Sequence, residues 1–117
     1  MKGIKIPTVG AYEVIELSDP MYKSVQEVIG GYAELVNPRG LPRPYCMMID
    51  EEGSLKKKPT NPVGSYLYEA HIHGQAIVGD VLILKVDDTP DGVDTVGLSD
   101  DDISALTQFI SEIKAKI

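Results

Sequence analysis

The residues that could do chemistry fall into four short groups. His71-Ile72-His73 would place two imidazoles on one side of an extended chain, because side chains alternate with period two. Glu69, Asp80 or Cys46 could then complete a zinc-type ligand set. Paired histidines at a loop–strand junction are more commonly solvated, so no metal is expected, and His71 and His73 are the candidates should one bind. Asp50-Glu51-Glu52-Gly53 looks like a calcium turn but lacks the alternating oxygen ligands and distal Glu of such a loop. It reads as a solvated hairpin turn. Cys46 lies beside Met47 and Met48 in an apolar run, where a thiol acts as a small hydrophobe rather than a nucleophile. Gly30-Gly31 follows an apolar helical stripe instead of preceding a helix, so it is a helix cap and not a phosphate cradle. No nucleophile and base converge, so no catalytic residue and no cofactor are assigned.

Two kinds of surface remain as binding candidates. From Val86 to Ile113 the chain carries eight acids and no Lys or Arg: Asp87, Asp88, Asp91, Asp94, Asp100, Asp101, Asp102 and Glu112. The net charge is −7, so the excess is concentrated there. Helix-dipole complementarity accounts for Asp100 to Asp102, and loop solubility for the others. The same field would steer a basic partner, which makes Asp87, Asp88, Asp91, Asp94, Asp100 and Asp101 the partner-binding candidates. Direct nucleic-acid binding is not expected, since Lys56-Lys57-Lys58 is too short a cationic run. The second surface is aromatic. There is no Trp and one Phe but six Tyr, and Tyr45, Tyr66 and Tyr68 flank loops, where a tyrosine combines contact area with a polar tip.

The elements that must position these groups are those of one domain, as 117 residues imply. Lys2 to Pro7 and Ala11 to Leu17 read as a strand pair. Ser18-Asp19-Pro20 reads as a capped helix start, followed by the stripe Met21, Val25, Val28 and Ile29. Tyr32 to Val36 is a strand, Asn37 to Pro44 a proline-rich loop, and Tyr45 to Ile49 a central strand. Ser54 to Lys56 is expected to pair back briefly, and Val63 to Tyr68 to form a short helix. Gln75 to Val78 and Val81 to Val86 are expected to pair about Gly79-Asp80, with a single strand kinked at Gly79 as the alternative. Residues 86–98 read as an acidic loop and 99–117 as a helix opened by a Ser99–Asp102 capping box. Its stripe is Ile103, Leu106, Phe109, Ile110, Ile113 and Ile117. The fold class is α+β: a mostly antiparallel sheet, one short helix after the first hairpin, and an amphipathic C-terminal helix packed on the sheet.

The order Val25-Gln26-Glu27-Val28-Ile29-Gly30-Gly31-Tyr32-Ala33-Glu34-Leu35, then Asp50-Glu51-Glu52-Gly53-Ser54-Leu55, then Pro59-Thr60-Asn61 and Ile77-Val78-Gly79-Asp80 resembles domain-of-unknown-function family 3846. The resemblance spans roughly Lys5 to Leu84, and the helix after Gly97-Leu98-Ser99 has a counterpart. The proline-bearing Asn37 to Arg43 segment departs from the family's tighter loop. The resemblance implies an accessory role in phages and conjugative elements, and brings no activity, cofactor or catalytic residue. The expected function is thus a noncatalytic binding or inhibitor protein acting on a host or phage protein, with a homo-oligomer compatible. The alternative is a small-ligand-binding protein or a small metal-dependent enzyme. A cytoplasmic location is expected, because Met1 to Pro7 is too charged for a signal-peptide core and no apolar run nears the ~20 residues of a membrane span.

Overall fold

A computed structural model covers residues 1–117 and describes all of them except the side chains of His71 and His73. Six strands form one antiparallel sheet: β1 (Lys2–Ile6), β2 (Glu13–Glu16), β3 (Ala33–Val36), β4 (Tyr45–Asp50), β5 (Val81–Thr89) and β6 (Gly92–Val96). Their order is β2-β1-β5-β4-β3, with β6 also paired to β5. β5 is the spine. Its first half meets β1 (Ile4 opposite Ile83) and its second half meets β6 (Val86 opposite Thr95), while β4 runs along its other side (Met47 opposite Ile83).

Alternation along β5 divides the core into two layers. Val81 and Ile83 join Ile4, Ile6 and Met47 against the helices α2 (Pro62–Leu67) and α4 (Asp100–Lys116). Leu82, Leu84 and Val86 join Cys46 against α1 (Met21–Ile29). The α+β class, the short helix after the first hairpin and the packed C-terminal helix are therefore as the sequence predicts. Ser99 caps α4 through the Asp102 N–H, and the Asp102 carboxylate accepts from the Ser99 N–H in return.

Five local expectations are corrected. Residues 86–98 are not an acidic loop but mostly the β5–β6 hairpin, because Val86, Val93 and Val96 supply strand-forming side chains around the Pro90-Asp91 turn. Gln75 to Val78 does not pair with β5; β1 occupies that edge, and residue 78 makes only an isolated bridge to Thr60. Ser54 to Lys56 is part of a coiled turn over 51–57 rather than a strand. α1 begins without a side-chain cap: Pro20 holds the cap position, and Ser18 is tied instead by its N–H to the Ser24 hydroxyl. The stripe of α4 is narrower than expected, since Leu106, Ile110 and Ile113 are buried while Phe109 and Ile117 are exposed.

Candidate functional site

The acidic turn after β4 is where sequence and structure differ most. Asp50 is buried and not solvated: Lys56 and Lys58 approach its carboxylate at 2.9 and 2.6 Å, and it accepts from the Glu52 N–H. Burial pushes this carboxyl up, but the hydrogen bonds from Lys58, Lys56 and the Glu52 amide outweigh it and hold it down at about 2. The same two ammonium groups donate to the Ile29 and Gly30 carbonyls at the end of α1, where the helix dipole favours cations. Lys57 adopts a left-handed conformation, φ 56°, and so turns both neighbours inward. Gly30 supplies the left-handed cap, φ 76°. Gly31 supplies room, because a Cβ there would lie 2.5 Å from Asp50 Oδ1 and 2.6 Å from Lys56 Nζ. The signal missed in the sequence was the coincidence of Gly-Gly, a lone Asp and a lysine run.

A second polar knot fastens α4 to the sheet. Asp102 accepts from Tyr45 Oη at 2.8 Å and pairs with Lys85 at 2.7 Å, besides closing the capping box. Burial works against this carboxylate, but Lys85, Ser99 and Tyr45 hold it well below the usual carboxylate range. Tyr45 is pushed up by burial and by its bond to Asp102. Tyr45 thereby ties α4 to β4. Tyr68 is half-buried against the core and Tyr66 is exposed on α2. Cys46 is fully buried, and burial pushes its thiol up to about 11 despite a backbone bond at Leu84, as befits an inert core residue. The buried Asn61 caps α2 through the Gly64 N–H and donates to the Ile6 and Gly79 carbonyls.

The acidic candidates are partly neutralised from elsewhere in the chain. Arg43 pairs with Asp88 and Lys2 with Asp100. Asp87, Asp91, Asp94 and Asp101 form no ion pair among the described residues. Asp87 and Asp94 stand directly opposite one another across the hairpin, a like-charge pair that opposes strand pairing. Strand alternation puts both on the face of Lys85, which is the α4 side. His71 and His73 belong to a single helical turn, α3 (Ala70–His73), rather than to an extended segment; their side chains lie outside the described residues. Among the described residues no group of three or more His, Cys, Asp or Glu could hold a metal ion.

The opposite side of the sheet carries two apolar openings. α1 has only nine residues and leaves beside it a groove of about 480 Å³, lined by Met21, Tyr22, Val25, Tyr32, Ala33 and Met48 among others. Tyr22 and Tyr32 are 68% and 66% exposed at its rim. Farther along the same face Leu35, Val86 and Val93 form a second apolar depression beside Arg43. None of these groove residues was singled out from the sequence as a binding candidate, since Met21, Val25 and Met48 read there as core.

Among the described residues no helix is long and apolar enough to cross a membrane. No curated protein and no solved structure matches the chain. The model of one family, described as a domain of unknown function, does match it, over residues 1–111 of 117, and so takes in most of the C-terminal helix as well as the segments that carry the resemblance; the chain belongs to the DUF3846 family.

Proposed function

We propose that this chain is a noncatalytic binding protein, an accessory factor of a phage or mobile element, that captures a partner protein on the α1 side of its sheet. One contrast carries the reading. The buried ionisable side chains Asp50 and Cys46 are committed to the fold, by ion pairs in one case and core packing in the other. The groove beside α1, by comparison, is mostly apolar and rimmed by exposed tyrosines. Tyrosines around an apolar floor suit protein recognition, because they supply contact area at small conformational-entropy cost.

A photo-crosslinking residue placed at Tyr22 or Tyr32 tests this in cells that carry the element. A discrete protein adduct is expected from both positions and not from Phe109, which is exposed on α4. Equal labelling from all three positions, or none, would sink the reading. A stoichiometric small-molecule mass retained in native mass spectrometry would assign the groove to a small ligand instead, a size of opening that such ligands also use.

The unneutralised Asp87–Asp94 pair favours a second reading, in which the α4 side steers a basic partner such as a nucleic-acid-binding host protein. Replacing Asp87, Asp91 and Asp94 with Asn should then slow capture of that partner at low salt and matter little at ~300 mM, where screening is strong.

A further inference from the structure

The groove opens beside a sheet edge whose outward hydrogen-bonding groups have no partner among the described residues. β3 ends the sheet, with β4 as its sole strand partner among the described residues. The Glu51 N–H donates to the Tyr32 carbonyl at 2.9 Å. In an antiparallel pair the residues facing the partner alternate, so Glu34 and Val36 also bond inward, and the N–H and C=O of Ala33 and Leu35 point away from β4. The two sides of this edge differ in chemistry. Ala33 lines the groove, and Leu35, on the same side, is 38% exposed. On the other side Glu34 lines a small pocket with Ile49, while Glu51 borders both that pocket and the groove; neither acid forms an ion pair among the described residues.

We infer that β3 is a strand-addition site for an extended partner segment in which apolar and basic residues alternate. This rests on the reading of the α1 side as a protein-binding surface and gives it a mode. Backbone pairing with Ala33 and Leu35 supplies affinity, and the period-two alternation supplies specificity. Apolar side chains of the added strand fall beside Ala33, Leu35 and the groove. Its basic side chains fall beside Glu34. A second copy of this chain fits poorly. Antiparallel self-pairing that engages Ala33 with Leu35 sets Glu34 opposite its own counterpart, and like charges directly opposite disfavour pairing.

The probe is a short labelled peptide, Lys-Val-Lys-Ile-Lys-Val, capped at both ends. It is titrated into the full chain by fluorescence anisotropy and by amide-resolved NMR with hydrogen exchange. Saturable binding is expected, with slowed exchange at the Ala33 and Leu35 amides. Affinity should fall at least tenfold for the same residues with the lysines grouped, for peptides N-methylated at alternate amides in the phase that faces β3, and for Glu34→Lys. Glu34 is exposed, so this variant should leave the fold intact, and it should bind the Glu-Val-Glu-Ile-Glu-Val peptide in preference. Equal affinity for alternating and grouped peptides, or indifference to N-methylation in both phases, overturns the inference. Shifts at Tyr22 and Met48 without protection of Ala33 and Leu35 overturn strand addition while the groove reading stands. Protection of these amides that rises with protein concentration alone assigns the edge to a second copy and also overturns it. No response at the edge or the groove up to ~1 mM peptide, about −4 kcal/mol of binding, sinks both.

Discussion

The two faces of the sheet are covered very differently. One carries α2 and α4, and the seventeen residues of α4 make a rod of about 25 Å at 1.5 Å per residue. The other carries α1, whose nine residues reach only about 14 Å. The first face closes into the larger of the two buried clusters. The second closes over Leu82, Leu84 and Cys46 and then stops, leaving Met48, Leu35 and Val93 beside open grooves. A sheet face needs cover in proportion to its apolar area. The difference therefore locates the stability of this protein on the α4 side and its unsatisfied apolar surface on the α1 side.

Substitutions can break or sharpen that contrast, and the largest effects belong to α4. Ile110→Ala removes a buried side chain from the larger core and should cost about 2–5 kcal/mol in chemical denaturation. Leu35→Ala on the α1 side should cost well under 1 kcal/mol, since that side chain is already partly in water. Equal losses would show that the α1 face is core after all.

The Asp50 knot at the end of α1 comes next. Its folded carboxyl sits at about 2, below the 3.8 of a free aspartate. A depressed carboxyl contributes stability that is present above about pH 4 and is lost as pH falls toward 2. Linkage sets its size at about 2 kcal/mol. Asp50→Asn should remove this contribution at neutral pH and flatten the acid limb of the stability curve. An unchanged acid limb would show that the lysines serve the α1 carbonyls alone. Gly31→Ala should act in the same direction by displacing Lys56 and Asp50. Smaller again is the α4 cap: Ser99→Ala should cost about 1 kcal/mol, read as a lower melting temperature.

The smallest effect has the opposite sign. Asp94→Asn relieves the repulsion with Asp87 and should stabilise the hairpin by a few tenths of a kcal/mol at low salt. The gain should vanish at high salt. Destabilisation would mean that Asp94 makes an attractive contact.

The sequence by itself determined the elements whose signals are local. Ser99 and Asp102 three residues apart, with Leu106, Ile110 and Ile113 following at helical spacing, specify α4 wherever it docks. Gly30 after the Val25–Ile29 stripe specifies the end of α1 in the same way. Tertiary structure decided whatever depended on partners distant in the chain. Whether 86–98 was a loop or a hairpin turned on β5 finding β1 and β6 along one edge. Asp50 reads as a solvated turn acid until Gly31 and two lysines close around it. Tyr45 reads as a surface aromatic until its hydroxyl donates a hydrogen bond to Asp102, fifty-seven positions away. The groove has no local signature at all. It exists because a helix of nine residues was set across a sheet too wide for it, and the width of a sheet is a property of pairing between strands, not of any one of them.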